Sequence, residues 1–379
     1  MGTTAPGPQD GPKRLLSIDG GGLLGLIPAE ALVEIEKQLD AITGHPAPLC
    51  ERFDLIGGTS TGAILAAGLS LGLKAADLRD FYLKFGKEIF TKSFFLTRLW
   101  HMYPSGPLEQ HLKDVFGENT TLGSPKLKTC IMIVTKNATQ GSTWFFTNNK
   151  DSKFFSSNAD LPLWQVVRAS TAAPTFFPPQ PMAIPDANKN PQNFEFVDGG
   201  VSTYNNPSLQ VFLEATDLNY GYKWLTGPDK LLLMSLGTGF NTVKIAAGAA
   251  AKFNVLNWAR YIIKELMGDA NLQQNVLMHL IGQKPQGAIS PAAAVAAVPG
   301  APSITSLDAL SAATGKFLTY QRITVELTRK RLDGFGLTDI DPDKVGEMDA
   351  ADQIANMQRI GQAVAREQVK MGNLKSFFM

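Results

Sequence analysis

Arg14-Leu15-Leu16-Ser17-Ile18-Asp19-Gly20-Gly21-Gly22-Leu23-Leu24-Gly25 is the stretch on which the fold turns. Its apolar run, Arg14–Asp19, predicts a short buried strand that ends where the glycines begin. From Pro28 to Leu39 the residues Ala31, Leu32, Ile35 and Leu39 recur at helical spacing, with charge on the opposite face. Strand, glycine loop and helix in that order form the opening unit of an α/β fold.

The pattern repeats along the chain. Phe53–Ile56 predicts a second strand running into Gly57-Gly58, with a helix of small residues just after Ser60. Ala75–Phe90 and Trp164–Ser170 read as helices, and Lys128–Thr135 and Ser142–Thr147 as strands by composition. Phe194–Val197 is a short strand ending at Asp198, and Lys230–Leu236 a buried one. Alternating strands and helices predict a mainly parallel central sheet with helices on both faces. After about residue 240 the signal weakens, because Ala246–Ala251 and Gly287–Pro302 are rich in Ala, Gly and Pro. Beyond them Tyr320–Leu327 predicts a strand. Asp349 is a candidate cap for a helix running to about Met371 that places Ile354, Met357, Ile360 and Val364 on one face. The expected division is a flexible tail at 1–12, a main domain at 13–285, a loop or insertion at 286–304, and a segment at 305–379 packed on the main domain.

Composition excludes several classes. The 379 residues carry 35 Lys+Arg against 34 Asp+Glu, a net charge of +1, which argues against a nucleic-acid polymer as partner. Cys50 and Cys130 are too few for a disulfide framework, and His45, His101, His111 and His279 show no metal-ligand spacing. The uncharged stretches Leu55–Leu73 and Pro285–Leu307 are too rich in polar residues, Gly or Pro to cross a bilayer. A cytoplasmic protein, peripheral at most at the inner membrane, is the expectation.

Three motifs carry chemistry. Asp19-Gly20-Gly21-Gly22-Leu23-Leu24-Gly25 directs several backbone N–H groups, and the positive end of a helix dipole, at one spot suited to a phosphate or an oxyanion. It also fits a dinucleotide fingerprint, but the acidic residue in range, Asp40, closes a helix and not a strand. Gly58-Thr59-Ser60-Thr61-Gly62 follows a strand and opens a helix, as a nucleophile elbow does. Gly68-Leu69-Ser70-Leu71-Gly72 has the same spelling at a helix end, so Ser60 is the candidate nucleophile and Ser70 is not. His101, His111 and His279 lie in stretches that read as helix faces or loops. The candidate base is therefore Asp198 of Asp198-Gly199-Gly200, again at a strand end, where a dry site raises the basicity of a carboxylate.

These elements in this order resemble the patatin-like phospholipase family, over about Arg14 to Gly239. The likeness includes Ala169-Ser170-Thr171-Ala172-Ala173-Pro174 and Ser235-Leu236-Gly237-Thr238-Gly239. The resemblance implies a three-layer patatin-like fold with its catalytic domain at 13–285. It also implies a phospholipase A-type acyl hydrolase that needs no cofactor and acts through a Ser–Asp dyad and an acyl-enzyme. Ser60 would attack the ester carbonyl, and Asp198 would take its proton and later activate water. Backbone N–H groups of Gly20, Gly21, Gly22 and Thr61 would hold the oxyanion, with Gly25, Gly58, Gly62, Gly199 and Gly200 as the motif glycines. A thioesterase or acyltransferase would use the same acyl-enzyme. Where family members often carry Arg or Lys, this chain has Leu24, a change that leans the head-group preference toward neutral or galactosyl lipids, with phospholipid still the first expectation. Thr319–Val369 also resembles the C-terminal part of bacterial patatin-like effectors switched on by cyclic nucleotides in antiphage defence. Ile89–Trp100, dense in aromatics, reads either as core packing or as an interfacial lid.

Overall fold

The computed structural model describes residues 11–90, 103–186, 188–218, 221–240, 245, 247–286 and 315–379. His101, residues 91–100 of the aromatic segment, residues 287–304 of the Ala/Pro-rich stretch and residues 1–10 of the tail lie outside them. The strands are β1 (Lys13–Ile18), β2 (Leu55–Thr59), β3 (Cys130–Asn137), β4 (Ser142–Thr147), β5 (Gln180–Pro185), β6 (Pro191–Asp198), β7 (Leu231–Leu236), β8 (Gly282–Gln283) and β9 (Leu318–Ile323). They form one sheet in the order β5-β6-β3-β2-β1-β7-β9-β8, with β4 also paired to β3. The pairings of β3 with β4, β3 with β6 and β5 with β6 are antiparallel, and the other five are parallel. The fold is α/β with a mixed, mostly parallel sheet.

The longer helices are α1 (Leu26–Thr43), α2 (Thr61–Ser70), α3 (Ala75–Ile89), α4 (Gly106–Phe116), α5 (Leu163–Ser170), α6 (Ser208–Thr216), α7 (Val255–Ile281) and α8 (Ile354–Gln368). Successive strand residues point to opposite faces, so both faces of the central strands are apolar. Leu16, Ile18, Ile56, Ile131, Ile133, Leu232 and Met234 pack in one core with residues of α1 to α5 and α8. Leu15, Leu55, Met132, Val134, Leu231 and Leu233 pack in the other with α6 and with Met278 of α7.

Several elements depart from the sequence reading. β2 runs through Gly57 and Gly58, because glycine is what lets other chain segments close against it there. A Cβ on Gly58 would stand 2.1 Å from the Gly62 carbonyl oxygen. β9 begins two residues early and stops at Ile323. Beyond it Val325 and Leu327 turn to bond Phe240. Asp349 caps no helix: α8 starts at Ile354 after a short 3-10 turn, and the Asp349 carboxylate instead accepts a hydrogen bond from the Tyr103 hydroxyl at 2.6 Å. Within α8, Ile354, Met357, Ile360 and Val364 are buried on the expected face. The C-terminal segment does more than pack on the sheet, since β9 is one of its strands.

One feature of the register positions the site. β3 pairs with β2 as far as Thr59↔Val134, and then the same edge is taken over by β6, starting at Thr135↔Asp198. β6 is antiparallel to β3, so its carboxyl end runs toward the carboxyl end of β2. The two strand ends meet, one carrying Ser60 and the other Asp198.

Candidate active site

Ser60 occupies the turn between β2 and α2 with φ at 55°, a left-handed conformation unusual for a residue with a side chain. Its backbone N–H is held by the Ser170 hydroxyl at 2.8 Å, and that hydroxyl donates to the Val134 carbonyl at 2.6 Å. The elbow is thus propped from α5 and β3. The Ser60 hydroxyl donates to Asp198 Oδ2 at 2.6 Å, while the other carboxylate oxygen accepts the Gly200 N–H at 2.7 Å. Asp198 is anchored in turn by its own N–H on the Ala172 carbonyl. One short segment, Ser170 to Ala172, therefore steadies both members of the pair.

Burial pushes the Asp198 pKa up to about 6, against the hydrogen bonds from Ser60 and Gly200 and the charge of Arg168. At neutral pH the group is a carboxylate, and a more basic one than an exposed aspartate. Arg168 is itself buried, which lowers its pKa to about 10 against the opposing charges of Glu109 and Asp198. Its Nη2 donates to the Pro178 carbonyl at 2.9 Å.

Gly21, Gly22 and Thr61 line the same pocket as Ser60 and Asp198. The Gly20 N–H is taken by the Asn205 carbonyl at 3.0 Å, so it drops out of the expected donor set. Among the described residues nothing takes the N–H of Gly21 or Gly22. Thr61 opens α2, which adds the positive end of the helix dipole beside the serine. Its side chain is held by the Tyr82 hydroxyl, and Gly25 packs close against the same pair. Gly62 lies in the first turn of α2, and Gly199 follows β6 against the Val134 backbone.

The pocket has a volume of about 850 Å³ including its open mouth. Beyond the polar groups at its base, its walls are Leu23, Ile64, Phe81, Phe90, Leu108, Phe177, Ile263, Met267 and their neighbours. Ile89 and Phe90, the first residues of the expected lid or core segment, belong to these walls. Such a space accepts a chain of methylenes and offers hydrogen bonds only at its base. Leu24 of the glycine motif is buried in the core.

The other candidates lie elsewhere. Ser70 is fully buried at the end of α2. His111 in α4 faces Glu88 and packs its ring against Phe85 at a tilt, and His279 sits in the last turns of α7. No histidine among the described residues lines the pocket. Asp40 is in α1, accepting the Ala47 N–H at 3.1 Å, and does not close a strand as a ribose-binding carboxylate would. Sequence reasoning gave no role to Ser170, Thr238 or Asn205. The first two sit inside Ala169–Pro174 and Ser235–Gly239, and the polar residue in each is the available signal. Asn205 carried none.

Residues 16–212 match the family described as patatin-like phospholipase. Patatin group M-3 of Solanum tuberosum is 33% identical over 260 residues, covering 64% of this chain and 66% of its own length. Patatin-2-Kuras 1 of the same species is 32% identical, covering 64% and 68%. The chain thus spans about two thirds of the length of these relatives. Among solved structures, VipD from Legionella pneumophila aligns over 93% of this chain and 67% of its own, with 12% identity and a TM-score of 0.40.

Proposed function

Because the chain belongs to the patatin-like phospholipase family, we propose that it is a lipid acyl hydrolase working through Ser60 and Asp198. The observation that carries this reading is the 2.6 Å hydrogen bond from a strained serine to a buried, basic carboxylate at the base of an apolar pocket. Asp198 takes the hydroxyl proton as Ser60 Oγ bonds the ester carbonyl carbon. The carbonyl oxygen becomes an oxyanion, held by the N–H groups of Gly21, Gly22 and Thr61. Collapse of that intermediate breaks the ester bond, and the proton on Asp198 goes to the departing alcohol. Asp198 then removes a proton from water as it attacks the acyl-enzyme, and returns that proton to Ser60 Oγ as the bond between the serine and the acyl group breaks and the fatty acid leaves.

A membrane lipid is the substrate class that the surroundings support. Along α7, Val255, Trp258, Ile262 and Leu266 are exposed at helical spacing, while Ile263 and Met267 of the same helix line the pocket. An apolar helix face continuous with an apolar pocket suits an enzyme seated at a lipid surface. No helix among the described residues is long and apolar enough to cross a membrane. With Leu24 in place of a cation, neutral or galactosyl head groups stand beside phospholipid as substrates. Activation by a cyclic nucleotide, with a role in antiphage defence, is a finer reading that rests on the sequence likeness of Thr319–Val369.

The test replaces Ser60 by Ala and Asp198 by Asn separately. Each change is expected to lower hydrolysis of a soluble ester by about 10³-fold or more while leaving a folded protein. Full activity in Asp198→Asn would sink the dyad and move attention to a histidine. Running the same assay on vesicles, with and without cyclic di- and trinucleotides, reads out the finer proposal.

A further inference from the structure

Asp19 immediately precedes the glycine loop and is 1% exposed, so its carboxylate depends on a partner. That partner is Arg322 of β9, itself 5% exposed and 303 residues away in the chain. The guanidinium forks onto both oxygens, Nη1 donating to Oδ1 at 2.8 Å and Nη2 to Oδ2. To do this Arg322 reaches past β7, which lies between β9 and β1 in the sheet. Ser17, Ser235 and Arg322 are in register across these three strands. Arg322 Nη1 also donates to Ser235 Oγ at 2.6 Å, and Ser235 accepts the Ser208 hydroxyl at 2.8 Å. Gly237 leaves the room for this crossing, since a Cβ there would stand 2.8 Å from Arg322 Nη2.

Packing alone does not account for a fully buried ion pair in a sheet whose other central residues are largely apolar. Replacing such a pair by well-fitted hydrophobic residues is often neutral or stabilising. What the pair does achieve is to hold one point of the backbone. The loop is gripped at three further places: the Gly20 N–H by the Asn205 carbonyl, the Gly20 carbonyl by the Thr238 hydroxyl at 2.8 Å, and the Leu23 N–H by the Met348 carbonyl at 2.8 Å. Gly21 and Gly22, the proposed oxyanion donors, lie between these anchors. Two of the four, Arg322 and Met348, come from the C-terminal segment, outside the family match at 16–212.

We infer that Arg322 is a positioning residue for the oxyanion step, fixing through Asp19 where the N–H groups of Gly21 and Gly22 stand. This rests on the acyl-hydrolase reading and adds a demand on the C-terminal segment. Oxyanion donors act only when placed to within a fraction of an ångström, so loosening the loop costs turnover while leaving the apolar pocket to bind substrate as before.

The experiment compares the full chain with Arg322→Lys and with the double variant Asp19→Asn/Arg322→Gln. The first keeps the charge but loses the fork, and the second removes both charges so that neither is left buried alone. Hydrolysis of a soluble p-nitrophenyl ester is measured per active site, with sites counted by fluorophosphonate labelling of Ser60. Inhibition by a trifluoromethyl ketone, which forms an oxyanion when Ser60 adds to it, is measured in parallel. The expected result is a fall in kcat per site of about tenfold or more, KM within about twofold, and an equal weakening of the ketone. A merely structural role would lower the number of sites but not the turnover of each. Wild-type kcat per site in either folded variant would overturn the inference, and if Arg322→Lys does not fold the double variant decides. Failure of the acyl-hydrolase reading is told apart by the unaltered chain, which would then show no hydrolysis dependent on Ser60.

Discussion

At the scale of single residues, the site is a contest between burial and hydrogen bonding. Asp198 is placed where desolvation raises its proton affinity, and two donors leave the pKa near 6. The sign of the consequence follows from its role as base. Above about pH 6 the carboxylate is ionised and able to take the serine proton, and below it the group is already protonated. The expectation is that kcat/KM for a soluble ester falls tenfold per pH unit below about 6 and is level from there through neutrality. A profile with its acid limb near the ordinary aspartate value of about 4 would mean that Asp198 is not the base. The strain at Ser60 belongs to the same scale. A positive φ is held because Ser170 takes its N–H and Gly58 lets Gly62 approach, so the hydroxyl stands clear of the sheet.

At the scale of elements, α7 has two different halves. Its carboxyl half buries one face, with Ala270, Gln274, Asn275 and Met278, and its amide side chains tie it to the loop after β6: Asn271 with Asn205 at 3.2 Å, Gln274 with the Thr203 carbonyl at 3.0 Å, and Asn275 with Asn206 at 3.1 Å. Its amino half carries the exposed stripe of Val255, Trp258, Ile262 and Leu266, next in sequence to Ile263 and Met267, which line the pocket. Trp258 also touches the rings of Phe253 and Tyr261, an aromatic grouping of the kind that sits at a lipid–water boundary. If that stripe meets lipid, Trp258→Asp with Ile262→Asp will leave hydrolysis of a soluble ester within about twofold. The same pair of changes will lower hydrolysis of vesicles about tenfold or more, since each lost apolar contact is worth roughly 1–3 kcal/mol. Equal losses on both substrates would assign the stripe to structure instead.

At the scale of the whole molecule, the C-terminal segment is part of the sheet and not an appendage. β9 pairs with β7 and its Leu318 and Tyr320 are buried, while α8 covers one face with Met357, Ile360 and Val364. A chain ending at Lys316 would keep Ser60, Asp198 and the whole family match, yet expose the edge of β7 and a broad apolar face. The expected outcome is loss of cooperative thermal unfolding together with all hydrolysis. A soluble, cooperatively folded and active truncation would contradict this account of the core.

Near-neighbour patterns were legible from the residues alone: a buried strand before three glycines, a serine between glycines at a strand end, and an Asp-Gly-Gly at another. They could be read because backbone geometry at a turn is set by the few residues in it. α7 carries helical spacing in Val255, Trp258, Ile262 and Leu266, but spacing alone does not show that this stripe faces outward while Ile263 and Met267 line a pocket. The meeting of β2 and β6 on one edge of β3, the removal of Gly20 from the donor set, and the reach of Arg322 to Asp19 were decided only by tertiary structure. Each joins groups whose separation along the chain carries no local signal, and each depends on strand order and register, which arise when the whole apolar core is buried at once.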